Sequence, residues 1–145
     1  MNIASALAQA SQDTVEAAGL HWRLRRITSA ELMEAGGGIL LAVAPRRKGE
    51  KAVTAEDLAA DPKKLASMHA FNEAVVCAAV QQVSRDGVTW EEITFLLDRR
   101  GASPGSGRVH VSALPSAAVT TIAGRVMSLS TDGGAAADRI ASFLG

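Results

Sequence analysis

The sequence predicts an α+β fold, rich in helix, and three observations carry that prediction. One long segment repeats its apolar residues at helical spacing, one short segment near the start alternates, and two later alternating segments flank a glycine-rich connection. The long segment, residues 61–84, opens on Asp61, which can accept hydrogen bonds from the unpaired amides of a first turn. Pro62 follows with a preset φ at the first helical position. Leu65, Met68, Asn72, Val75, Val76, Ala79, Val80 and Val83 then recur at three- and four-residue steps, and Phe71, Cys77 and Ala78 widen the apolar arc. An arc that wide needs cover on more than one side, so this helix is expected to be the spine of the core and its most buried element.

Taken in order, residues 2–19 read as a short amphipathic helix through Ile3, Leu7 and Ala10, free to fray at the chain end. Leu20, Trp22 and Leu24 alternate with His21, Arg23 and Arg25, which predicts a short strand with one apolar face and one basic face, solvated or paired. Thr28 stands three residues before Glu31, the spacing of a reciprocal capping box, and Gly36, Gly37 and Gly38 end the helix it starts. Residues 39–44 are too short an apolar run to separate strand from helix. Arg46, Arg47, Lys48 and Lys51 mark a solvated surface loop, with phosphate binding as its functional alternative, and Thr54 caps a short helix with Glu56 and Asp57 near its positive end.

After a turn at Arg85-Asp86-Gly87, residues 88–98 read either as a strand with a bulge near Glu91 or as a helix capped by Thr89. The turn-rich residues 99–107 and the alternation of Val109 and Val111 favour the strand, and with it an antiparallel β-hairpin. Ser112 is placed to cap the next helix, whose stripe is Ala118, Val119, Ile122, Val126 and Leu129. A glycine hinge then leads to a last short helix carrying Ala136, Ile140, Phe143 and Leu144 on one side.

Composition narrows the function. The 145 residues suit one domain, 1–145, with 131–145 as a hinged C-terminal helix, and an aromatic content of only 3% calls for a core of small aliphatic side chains. Fifteen basic residues balance fifteen acidic ones, which gives no electrostatic reason to expect nucleic acid or an anionic membrane and permits self-association. No stretch has the make-up of a signal peptide or reaches the roughly 18 apolar residues of a membrane span, so the expected setting is cytoplasmic. Cys77 is the only cysteine, which rules out an internal disulfide, and its apolar neighbours favour an inert thiol. His21, His69 and His110 lack paired metal-ligand spacing, so no metal and no cofactor is expected. Residues 101–107 lack the Lys-Ser/Thr ending of a phosphate-binding loop and read as a flexible hairpin tip. Glu91 and Glu92 point to opposite faces of a strand and cannot share one substrate bond as acid and base. No nucleophile, base and oxyanion donor come together, so the chain is not expected to be an enzyme.

The order of these segments has a parallel. WRLRRITSAEL, WEEITFLLDRR, RVHVSALPSAAV and VMSLSTDGGAAADRIASFL, in that sequence, resemble the tail assembly chaperones of long-tailed bacteriophages and prophages. The likeness runs over roughly residues 20–144 and is one of pattern: an Arg-rich strand into a short capped helix, a variable middle, a helix of Val-Val-Cys-Ala character, a hairpin, and a Leu-Pro-led helix. It implies a non-enzymatic protein that binds the tape measure protein before the tail tube grows around it and is absent from the finished virion. The rival is a structural protein of the tail or neck. Trp22 and Trp90 read as core residues, with interface roles as the alternative. Ile140, Phe143 and Leu144 are the candidate partner contacts, on a helix that either folds back on the core or fills a groove in a partner.

Overall fold

Helix α1 (Ile3–Ala10) is capped by Asn2, whose side chain accepts from the Ser5 amide at 2.8 Å. It runs straight into strand β1 (Gln12–Ala17), so the helix expected over residues 2–19 covers only the first half of that stretch. β1 and β2 (Leu20–Arg25) form a hairpin on the two-residue turn Ala18-Gly19, where both φ values are positive, +54° and +74°, as this class of tight turn demands. Ala-Gly is a weak turn signal beside Asn-Gly, which is why the sequence hid β1. Thr28 and Glu31 complete the expected capping box at the start of α2 (Ser29–Glu34). In this computed structural model residues 2–36 and 60–131 are described; the basic loop 45–51, the run 39–44, the Thr54 helix and the C-terminal segment bearing Ile140, Phe143 and Leu144 lie outside them.

The central helix α3 (Pro62–Ala79) begins as expected, with Asp61 accepting from the amides of Lys63 and Lys64. It ends five residues earlier than its periodicity implied. Residues Val80–Ser84 are strand β3, antiparallel to β2. The reason is a bulge: Arg23 faces Gln82 and Leu24 faces Val80, which leaves Gln81 without an opposite number. Val80 and Val83 therefore line up with Leu24 and Trp22 although they are three apart, the spacing that imitated a helix. A second antiparallel partner, β4 (Glu91–Glu92), completes the sheet order β1-β2-β3-β4.

The expected antiparallel hairpin of residues 88–98 with the segment around Val109 and Val111 is corrected by the structure. β5 (Thr94–Leu96) and β6 (Arg108–His110) pair in parallel, because the connection folds into two 3-10 turns, Arg99–Gly101 and Pro104–Ser106, that carry the chain back to its starting level. Gly107 makes the return possible. At φ +77° it passes so close to β4 that a Cβ would lie 2.7 Å from the Glu92 carbonyl oxygen. Val111 begins a further short turn, and helix α4 (Ser116–Thr131) starts beyond Pro115, whose carbonyl accepts from Ala118 and Val119. Ser112 does not cap that helix; its hydroxyl and amide engage His110.

One face of the sheet carries the core. Val15, Trp22, Leu24 and Val80 from the strands meet Phe71, Val75, Val76 and Ala79 of α3 and Val119, Ile122, Ala123 and Val126 of α4, all buried. The Trp22 and Phe95 rings sit 5.6 Å apart at their centroids, and the Trp22 indole donates to the Ala17 carbonyl. The class α+β, the central helix and a β-hairpin thus stand, the hairpin being β1–β2. The N-terminal half of α3 is less buried than expected, with Leu65 exposed, and α4 shares the role of spine.

Candidate partner interface

The sheet face turned away from the helices carries a polar row across all four strands. Register places Thr14, Arg23, Gln82 and Glu92 side by side. Arg23 donates to the Gln82 side-chain oxygen, and the Gln82 amide donates to Glu92 at 2.6 Å. The Arg23 guanidinium also lies 4.1 Å over the Trp90 ring, so the second tryptophan is a half-buried cover for a cation rather than the core residue its flanking residues suggested. The alternation of β2 had put Arg23 on the face opposite Trp22; the stacking partner carried no sequence signal. Gln12, Arg23, Gln82, Glu92 and Thr94 are among the residues lining a shallow, mostly polar cleft of about 430 Å³ on this side.

Further along the same basic face, Arg25 grips Glu31 with two nitrogens. The Arg25 hydrogen bond, with the Thr28 amide next, holds the Glu31 carboxyl at about 2, well below the usual range. His21 stands 3.4 Å from Glu16. The expected pairing of the basic face is therefore realised. A second cleft, of about 330 Å³, runs past Leu20, Val83 and Asp86. Asp86 is used up in the turn: it accepts from the Thr89 and Val88 amides and the Ser84 hydroxyl, which hold it at about 2.

The side chains with reactive potential are also engaged structurally. Burial, then the nearby Glu73, push the Cys77 thiol up to about 11, which leaves no thiolate at neutral pH. His69 lies 3.5 Å from Glu73 on α3. His110 places Nε2 3.1 Å from the Leu97 carbonyl, which can only accept, so Nδ1 is left to accept from the Ser112 amide. Among the described residues no group of three or more His, Cys, Asp or Glu side chains is placed to hold a metal ion, and no helix is long and apolar enough to cross a membrane.

Large apolar side chains are also left open to a partner among the described residues. On α1, Ala6 and Ala10 are buried while Ile3 and Leu7, four apart, stand 65% and 50% exposed. The helix hides its small residues and shows its large ones, so the stripe read from the sequence is only partly core. Met33, Leu65, Val88 and Leu97 are the other large exposed apolar side chains among the described residues. The candidate contacts Ile140, Phe143 and Leu144 fall outside those residues. No family model, characterised protein or solved structure matches the chain.

Proposed function

We propose that the chain is a tail assembly chaperone of a long-tailed phage or prophage, a cytoplasmic, non-enzymatic protein that binds the tape measure protein and keeps it soluble until the tail tube surrounds it. The observation that carries this reading is the order of segments over residues 20–144: the basic strand at Trp22, the capping-box helix at Thr28, the Val75-Val76-Cys77 helix, and the Leu114-Pro115 lead into the last long helix. A physical argument supports it. A tape measure is a long helix-forming chain whose apolar faces stay open until assembly, and a binder must cover them reversibly, through many modest apolar contacts. The exposed Ile3 and Leu7 on α1 suit that task. The spacing of Ile140, Phe143 and Leu144 in the sequence is that of one helical face, and we propose them as further partner contacts.

Such binding calls for no cofactor, metal, nucleic acid or membrane. Mass spectrometry of purified particles separates a chaperone from a structural protein of the tail or neck. A chaperone is absent from mature particles and present in the lysate; recovery of the chain in stoichiometric amount with the tail or neck would replace this reading with the structural one.

A further inference from the structure

Among the described residues β1 is the longer unpaired edge of the four-stranded sheet, for the opposite edge, β4, has two residues. The direction of its backbone groups follows from the register. The Arg26 amide donates to the Ser11 carbonyl at 2.7 Å, and the Ala17–Leu20 pair closes the two-residue turn. Hydrogen-bonded and non-bonded pairs alternate in an antiparallel ladder, so Ser11, Asp13, Val15 and Ala17 face β2, and Gln12, Thr14 and Glu16 turn their N–H and C=O groups outward. The middle one of those outward amides is occupied. Thr14 N–H donates to Asp13 Oδ1 at 2.8 Å, and Asp13 Oδ2 stands 3.5 Å from Arg125 Nη1, reached from α4.

We propose that the β1 edge is a latent pairing surface for a second copy of this chain, held shut by the Asp13 carboxylate on the Thr14 amide. Two β1 strands meeting antiparallel about Thr14 set Gln12 opposite the second copy's Glu16, Thr14 opposite its equal, and Glu16 opposite Gln12. All three are outward-facing positions, so every N–H meets a C=O. No like charges stand opposite one another, and threonine opposite threonine is a favourable cross-strand pair. The formal net charge of zero removes long-range repulsion between copies. The central Thr14 pair sits on the two-fold axis, and its two bonds need the amide that Asp13 holds. Arg125 makes a secondary contact with the second carboxylate oxygen, and the Oδ1 acceptor alone holds the amide. Inward-pulling charges of this kind are a known means of blunting a sheet edge.

The test is the molar mass of the full chain by light scattering at high micromolar concentration. Wild type and Asp13→Asn, whose side-chain oxygen still accepts from Thr14, keep one mass; Asp13→Ala doubles it. Adding Thr14→Pro to Asp13→Ala deletes the amide at an edge position that tolerates proline and returns the mass to the wild-type value. A folded Asp13→Ala protein with wild-type mass overturns the proposal, as does Asp13→Asn associating as strongly as Asp13→Ala. If Asp13→Ala does not fold, amide exchange in the wild type decides: a Thr14 amide slower than those of Gln12 and Glu16 supports the guard, and one equally fast overturns it.

Discussion

Glu31 links local helix chemistry to the sheet. Its carboxylate accepts from the Thr28 amide, closing the capping box, and reaches back to Arg25 on β2, so one side chain starts α2 and fixes it against the basic face. Its folded-state value of about 2 lies below the ordinary 4.5, so the stability it contributes is fully present above about pH 4.5 and is lost as the pH falls toward 2. Asp86, held at about 2 against an ordinary 3.8, keeps its contribution above about pH 3.8 and loses it as the pH falls toward 2. Glu31→Gln keeps an acceptor at the capping position while removing the charge. We expect that variant to melt lower than wild type at pH 7 and to converge with it near pH 2; a constant gap across the titration, followed by thermal melts, would show that the ion pair carries none of the difference.

At the scale of elements, two turns set the topology. Ala18 stands at φ +54°, a left-handed position that asparagine tolerates better than alanine because its short side chain can hydrogen-bond locally, so Ala18→Asn should raise stability by about 0.5–1 kcal/mol in chemical denaturation. Gly107→Ala should lower it by at least about 2 kcal/mol, because the new methyl meets the Glu92 carbonyl and the backbone is already left-handed. An unchanged midpoint in that variant would mean the parallel β5–β6 return is wrongly drawn. These same turns mark where reading the sequence stopped. The Leu20-Trp22-Leu24 alternation, the Thr28–Glu31 box, the Asp61-Pro62 start and the Ala118–Leu129 stripe were legible because each is a local pattern read by its own backbone. The end of α3 was not, since the Gln81 bulge gives a strand the spacing of a helix. Nor was the parallel pairing of β5 and β6, which depends on how the 97–107 connection folds back rather than on the strands themselves. The site was less legible still: Trp90 under Arg23 and the outward-facing Ile3 and Leu7 are decided by tertiary neighbours.

At the scale of the whole molecule, some described polar groups serve turns, caps and the four-strand polar row, and large apolar side chains on α1 stay open. The open side chains suit a contact surface, and the partner proposed for it is a tape measure protein. Co-expression of the protein encoded just downstream, alone and together with this chain, tests it most directly, read as the soluble fraction of that neighbour. The neighbour is expected to be insoluble alone, soluble with the wild-type chain, and less soluble with the Ile3→Asp, Leu7→Asp double variant, whose changed positions are solvent-exposed and leave the fold intact. A neighbour equally soluble with and without the chain would contradict it.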